Sequence, residues 1–136
     1  MGNKIIKTEE YIEELNKMLK GWTESNPEKT ASFYTDDLNY IDPNVREGIF
    51  GKTKFISYLR ILFKRWPFQE WISKEIFPHS IPGQFSIRYN FRFANPTLGK
   101  EIKGEGMDFI EFKNDKIFKN YVYLNADLWK KWIKTV

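Results

Sequence analysis

Two aspartates, Asp42 and Asp108, stand in strand-like segments of a chain rich in aromatic residues, and their carboxyl groups suggest proton chemistry. A carboxylate works as a general base when its pKa approaches the working pH, and a pocket of Phe, Tyr and Trp raises that pKa by penalising the charged form. When two carboxyl groups share such a cavity, their pKa values are pushed apart, so that one is an ionised base and the other a protonated donor. The structural alternative is that Asp42 braces the turn at Pro43 while Asp108 accepts hydrogen bonds from backbone or a tyrosine.

The composition limits what other chemistry is available. The chain contains no cysteine, which excludes disulfides, thiolate nucleophiles and Cys-ligated metal sites. The single histidine, His79, lies beside a proline with no metal-ligand spacing around it, and we interpret it as a loop-bracing residue. We expect no metal and no other cofactor. The aromatic fraction of 18% exceeds what a small core usually needs, so some rings are expected to line a cavity.

Charge and length point to a single soluble domain spanning residues 1–136. The net charge is +4, but the basic residues are interleaved with Asp and Glu, so we expect no nucleic-acid partner. The first 14 residues lack the apolar run of a secretory signal, and no segment is long and apolar enough to cross a bilayer. We therefore expect a cytoplasmic protein without a membrane partner.

Helical periodicity is confined mainly to the first half of the chain. Thr8 is a candidate N-cap for a first helix whose stripe comprises Tyr11, Leu15, Met18 and Trp22. Asn26 and Pro27 predict a short helix over residues 27–34, which Asp36 and Asp37 would end. The apolar stripe over residues 52–66 predicts a third helix.

The second half of the chain shows the two-residue period of strands. The first strand is predicted at residues 38–43, where Leu38, Tyr40 and Asp42 share one face. Further strands are predicted over residues 70–77, 84–94, 100–112 and 116–124, the last two joined as a hairpin, and a final helix over residues 127–134. Gly104 and Gly106 indicate a bulge in preference to a close backbone approach. Helices followed by a mostly antiparallel meander are typical of an α+β domain with the helices on one face of the sheet.

Several short motifs add a family resemblance to this pattern. They are FYTDDLNYIDP at residues 33–43, Gly51 opening a helix, GMDFIEF at residues 106–112, and DKI before the last strand. With these motifs the chain resembles the nuclear transport factor 2-like superfamily, in its ketosteroid isomerase and SnoaL-like polyketide cyclase branch. The resemblance implies a cone-shaped roll, in which a curved, mostly antiparallel sheet wraps around about three helices and an apolar pocket. It also implies a homodimer formed through the outer surface of the sheet.

The resemblance assigns roles to both aspartates. Asp42 stands before Pro43 and nine residues before Gly51, where the isomerases place their general base. Asp108 stands four residues before Phe112, where they hold a protonated aspartate as oxyanion donor. The donor tyrosine of the family's first helix falls at Met18, which cannot donate a hydrogen bond. The tyrosines that we consider as substitutes are Tyr40, Tyr89, Tyr121 and Tyr123.

Two functions remain open at this point. The first is a cofactor-independent isomerase, cyclase or lyase that uses Asp42 as base on a small hydrophobic carbonyl compound. The second is a non-catalytic module of the same fold that binds a hydrophobic ligand or dimerises. In either case the predicted pocket lining comprises Met18, Trp22, Tyr40, Phe55, Leu59, Phe63, Tyr89, Phe91, Tyr121 and Tyr123.

Overall fold

The computed structural model describes residues 6–125, which form three helices and a six-stranded sheet. The elements follow in the order α1 (Thr8–Thr23), α2 (Pro27–Ala31), β1 (Tyr34–Ile41), β2 (Ile49–Phe50), α3 (Lys52–Arg65), β3 (Phe68–Pro78), β4 (Gln84–Asn95), a 3₁₀ turn (Pro96–Leu98), β5 (Lys100–Lys113) and β6 (Lys116–Leu124). The strand and helix types predicted for residues 52–66, 70–77, 84–94, 100–112 and 116–124 are confirmed, and β2 and the 3₁₀ turn were not predicted. The predicted helix over residues 127–134 lies outside the described residues.

The six strands form one open sheet in the order β2-β1-β6-β5-β4-β3. Strands β1 and β6 run parallel, whereas the other neighbouring pairs are antiparallel. The mixed, unclosed sheet with its helices confirms the predicted α+β roll of the cone type. Because β5 lies between β4 and β6, and β1 lies beside β6, side chains from all four strands meet on the inner face.

Helix α1 buries the predicted stripe against the sheet, since Leu15, Met18 and Trp22 are each at most 4% exposed. Its N-terminus differs from the prediction. The N-cap is Lys7, which has extended backbone angles and makes no side-chain cap bond, so Thr8 is already helical and is not the cap. The acidic residues Glu9 and Glu10 in the first turn face the positive end of the helix dipole instead.

The segment after α2 also departs from the prediction. Asn26 caps α2 as expected and accepts from the Lys29 amide at 3.0 Å, but the helix ends at Ala31. Tyr34 already pairs with β6, so the chain is extended where a helix was predicted to continue. Asp36 and Asp37 therefore lie inside β1 and do not end a helix.

The inner face of the sheet follows the alternation predicted from the sequence. The buried residues of β4 on this face are Phe85, Ile87, Tyr89, Phe91 and Phe93. The register between β4 and β5 is continuous, so the bulge predicted at Gly104 and Gly106 is absent from this pair. A Cβ at Gly106 would lie 2.6 Å from Leu124 Cδ2 and 2.7 Å from the Tyr89 hydroxyl. Gly106 thus permits a close approach of side chains next to Asp108.

Candidate functional site

Asp42 follows β1 at the end of the strand, and its carboxylate accepts four hydrogen bonds. Oδ1 accepts from the amides of Asn44 at 2.8 Å and Val45 at 3.1 Å. Oδ2 accepts from the hydroxyls of Tyr40 at 2.8 Å and Tyr58 at 2.5 Å. A carboxylate offers about four acceptor positions, so those of Asp42 are filled. The side chain is buried, and it ties the end of β1 both to the following turn and to α3.

Asp108 lies near the middle of the inner face, opposite Ile87 of β4 and Val122 of β6. Its Oδ1 accepts from the Tyr89 hydroxyl at 2.7 Å, and its Oδ2 accepts from Nδ2 of Asn120 at 2.8 Å. Asp108 is 5% exposed, comparable with Asp42 at 3%. It accepts from two donors among the described residues, where Asp42 accepts from four. Asp108 therefore keeps hydrogen-bonding capacity that Asp42 has already used.

The amide of Asn120 belongs to a longer buried chain of hydrogen bonds. Trp22 Nε1 on α1 donates to the Tyr34 hydroxyl at 3.2 Å, and that hydroxyl donates to Asn120 Oδ1 at 2.6 Å. Asn120 then donates to Asp108. One helix and three strands thus contribute to the surroundings of the Asp108 carboxyl, which makes its position sensitive to their packing.

Burial determines the ionisation of both acids. Loss of hydration raises the pKa of Asp108 to about 7, because the hydrogen bonds from Asn120 and Tyr89 only partly oppose it and the charge of Asp42 adds to it. Burial also raises the pKa of Asp42, against the hydrogen bonds from Tyr58 and Tyr40 and from two backbone amides. Burial likewise raises the pKa of Tyr89, so this phenol stays protonated as a donor.

A narrow cleft leads to Asp108; it is partly open to solvent, and its internal volume is about 10 Å³. Its lining comprises Met18, Leu19, Trp22, Tyr40, Trp71, Asp108 and Val122. The rings of Trp22 and Trp71 meet edge to face at 5.5 Å, so the enclosed space holds about one water molecule. A larger apolar pocket stays a prediction, and a larger ligand would have to part these two rings.

The structure divides the predicted site residues into four groups, of which three lie on, behind or beside the cleft. Asp108, Met18, Trp22 and Tyr40 line the cleft. Asp42 lies one hydrogen bond behind the cleft, through Tyr40. Buried in the core behind or beside the cleft are Phe55, Leu59, Phe63, Tyr89 and Phe91.

Tyr121 and Tyr123 lie on the other face of the sheet. The neighbouring β6 residues Asn120 and Val122 point inward, so these two tyrosines point outward. Tyr123 is 63% exposed, and the Tyr121 hydroxyl accepts from Asn39 at 3.1 Å. Neither tyrosine reaches Asp108, so neither replaces the family's donor.

Sequence reasoning missed Tyr34, Tyr58 and Asn120. The sequence pattern predicts a helix end at Tyr34, whereas this residue begins β1. Tyr58 stands three residues after Phe55 in the α3 stripe, and Asn120 is a polar residue two positions before Val122 in a strand. A polar side chain at an inward position must find a buried partner, which is the signal that identifies both residues.

Within residues 6–125, no helix is long and apolar enough to span a membrane. Over the same residues, no group of three or more His, Asp or Glu side chains is arranged to hold a metal ion. His79 bonds Ser86 at 2.7 Å, its ring lies tilted at 5.6 Å from that of Phe109, and it is not among the residues that line the cleft.

Comparison with known proteins identifies the fold. The sequence matches no protein-family model and no curated protein. An NTF2-like protein of unknown function from Exiguobacterium sp. 255-15 superposes with a TM-score of 0.71 and 13% identity, covering 83% of this chain and 98% of its own. A hypothetical protein with a ketosteroid isomerase-like fold from Catenulispora acidiphila, in complex with trimethylamine, superposes with a TM-score of 0.74 and 10% identity. This match covers 84% of the present chain and 86% of that protein. A protein assigned as a SnoaL-like polyketide cyclase from Jannaschia sp. CCS1 superposes with a TM-score of 0.77 and 10% identity, and the match covers 96% of each chain.

These neighbours confirm the predicted likeness at the level of fold. The chain has the NTF2-like fold, which it shares with these ketosteroid isomerase-like and SnoaL-like proteins. Identities of 10 to 13% establish the fold alone, because this fold carries unrelated activities. The activity has to be argued from the site.

Proposed function

We propose that the protein is a cofactor-independent enzyme that moves a proton next to the carbonyl group of a small hydrophobic compound, as an isomerase, cyclase or lyase. The observation that carries this proposal is the state of Asp108. It lies on the cleft, its pKa is raised to about 7, and half of its acceptor capacity is unused. An acid with these properties exchanges a proton readily at neutral pH.

The geometry favours a different division of roles from the one implied by resemblance. Ionised Asp108 takes the proton from the carbon next to the carbonyl group and returns it to another position. Tyr40, which lines the cleft, turns its hydroxyl from Asp42 toward the developing enolate oxygen. Asp42 keeps its three other donors, which are the amides of Asn44 and Val45 and the hydroxyl of Tyr58. The alternative assignment, Asp42 as base and Asp108 as donor, requires Asp42 to reach a substrate although it lies behind Tyr40 and does not line the cleft.

The lining of the cleft favours a neutral, largely apolar substrate. Its side chains are aromatic or aliphatic apart from Asp108 and the Tyr40 hydroxyl, and no basic residue is among them. An anionic compound would therefore meet carboxylates without a compensating cation. Trp71 is the half-buried member of the tryptophan pair, so entry of a ligand requires this ring to move first.

Deuterium exchange tests the proposal without knowledge of the natural substrate. A panel of cyclic enones, 1,3-diketones and lactones is incubated with the protein in D₂O, and proton loss next to the carbonyl is followed by NMR. We expect exchange of at least one compound with the wild type, a loss of about 100-fold or more in Asp108→Asn, and no change in the surface control Asp36→Asn. Loss in Asp42→Asn with full activity in Asp108→Asn would reverse the assignment. No exchange with compounds that bind would contradict the proposal.

A non-catalytic role in ligand binding or dimerisation is the second candidate. The observation that favours it is the apolar surface on the outer face of the sheet, where Ile72 is 49%, Met107 38% and Tyr123 63% exposed. A homodimer would cover this surface, which sedimentation equilibrium of the wild type and Tyr123→Glu would show. In that case a hydrophobic ligand would raise the melting temperature of the wild type and Asp108→Asn equally, and no compound would exchange its protons.

A further inference from the structure

We infer that Trp22, Tyr34 and Asn120 form a one-way hydrogen-bond relay that keeps Oδ2 of Asp108 an acceptor, so that proton exchange occurs at Oδ1, beside Tyr89. The inference deepens the proposed function and rests on it only in taking Asp108 as the proton-exchanging group. Tyr34 and Asn120 would then be positioning residues, because neither touches the substrate.

The direction of the relay begins at Trp22. An indole N–H donates and cannot accept, so the Tyr34 oxygen must receive it at 3.2 Å. The single proton of the Tyr34 hydroxyl is then free for the other neighbour, Oδ1 of Asn120 at 2.6 Å. If the first group could both donate and accept, as a hydroxyl can, the hydrogen bonds could also point in the opposite direction. Here the first group permits one direction only.

The relay fixes the orientation of the Asn120 amide. Because Oδ1 accepts from Tyr34, the NH₂ group must face Asp108, where Nδ2 lies 2.8 Å from Oδ2. Turning the amide over would place an NH₂ group against the Tyr34 proton and an oxygen against the carboxylate. Two buried hydrogen bonds would be lost together, and two repulsive contacts would replace them.

This orientation distinguishes the two oxygens of Asp108. The carbonyl oxygen of a carboxylic acid accepts more strongly than its hydroxyl oxygen, so an oxygen held by an N–H donor stays the carbonyl oxygen. The partner of the other oxygen, Oδ1, is Tyr89, whose hydroxyl can both donate and accept a hydrogen bond. Tyr89 donates to Oδ1 when Asp108 is ionised and accepts from it when Asp108 is protonated.

The remaining groups near Asp108 do not compete for the proton. Tyr34 and Tyr40 of β1 and Tyr89 of β4 are phenols whose pKa burial raises, so they remain protonated. Asp42 is the charged group that acts on Asp108, and it makes loss of the Asp108 proton harder. Helix α1 contributes apolar side chains and the Trp22 indole to the cleft.

The test is an NMR titration of Asp108 in Tyr34→Phe, with Tyr121→Phe as the matched control. Tyr34→Phe removes only the hydroxyl that holds Asn120, and Tyr121→Phe removes a phenol on the opposite face of the sheet. The carboxyl ¹³C shift of Asp108 and the side-chain amide ¹H shifts of Asn120 are followed from pH 4 to pH 9 without ligand. Since a hydrogen bond to the charged form lowers an acid's pKa, we expect Tyr34→Phe to raise the pKa of Asp108 by roughly one unit.

The Asn120 signals give the readout specific to orientation. In the wild type and in Tyr121→Phe, one amide proton should follow the Asp108 titration, and in Tyr34→Phe this response should be lost or divided between two orientations. An unchanged titration with an unchanged amide response in Tyr34→Phe would overturn the relay. If that variant does not fold, Trp22→Phe removes the initial donor while keeping an aromatic ring, and the same two outcomes apply. Because no substrate is present, the relay is judged separately from catalysis, which the deuterium-exchange panel judges.

Discussion

Because the pKa of Asp108 is raised, we expect the wild type to lose stability relative to Asp108→Asn as the pH rises. Burial raises the pKa of Asp108 from 3.8 to about 7 on folding. For an acid shifted upward, the folded state is favoured in full below the unfolded value, and this advantage is lost as the pH rises through the folded value. Asp108→Asn removes the titration while keeping the shape of the side chain.

The two pKa values set the size of the effect. At pH 5 the unfolded chain has mostly released the Asp108 proton while the folded chain has kept it, and by pH 8 both have released it. Integrating between these limits, the wild type loses about 2 to 3 kcal/mol of unfolding free energy relative to Asp108→Asn between pH 5 and pH 8. Any mismatch of the new amide with Tyr89 and Asn120 adds a constant offset and does not alter this slope.

Urea denaturation at half-unit steps from pH 5 to pH 8 measures the effect. The difference between wild type and Asp108→Asn cancels the other titrating groups that the two proteins share. Asp36→Asn, at an exposed site, serves as a control whose difference from wild type should stay constant within about 0.5 kcal/mol. A constant difference for Asp108→Asn as well would refute the reasoning, because Asp108 would then have the same pKa in the folded and unfolded states.

Two further substitutions test the packing around the acids. Gly106→Ala places a methyl group 2.7 Å from the Tyr89 hydroxyl, so we expect a loss of about 1 to 3 kcal/mol in urea denaturation and a displaced Tyr89 ring signal in NMR; a stable variant with an unmoved ring would contradict the close approach. Tyr58→Phe removes one of the four donors to Asp42, so we expect a loss of about 1.5 to 3 kcal/mol in urea denaturation, because a buried carboxylate oxygen is left with one donor fewer. An unchanged stability in Tyr58→Phe would mean that the Tyr58 hydroxyl does not hold the Asp42 carboxylate.

The local pattern of the chain predicted which face each strand residue occupies, but not its partners. Alternation placed Tyr40 and Asp42 together on the inner side of the predicted first strand; both side chains are buried, although β1 ends at Ile41 and Asp42 follows it. The contact between Asp108 and Asn120 depends on β5 and β6 being neighbours in a particular register, and the contact with Tyr34 depends on a parallel pairing of β1 with β6. These long-range choices are not encoded in a two-residue period.

The strand β1 and the cleft are two further features that depend on long-range packing and not on the local sequence pattern. Asp36 and Asp37 are of a residue type that is common in turns, yet they lie within a strand. The residues on either side of them pair with β6, and the register is irregular between Tyr34 and Asn39. The aromatic content predicted a cavity, but its size depends on the angle at which Trp22 and Trp71 meet. Ring angles of this kind follow from the packing of the whole core.

A carboxyl ¹³C NMR titration of Asp108 in the wild-type protein, assigned with Asp108→Asn, tests the central claim most directly. We expect Asp108 to titrate near pH 7, which would mean that it holds its proton up to neutral pH in a dry site on the cleft. Titration in the ordinary aspartate range, near pH 4, would contradict the account. Asp108 would then be an ionised structural acceptor for Tyr89 and Asn120, and too weak a base to take a proton from carbon at neutral pH.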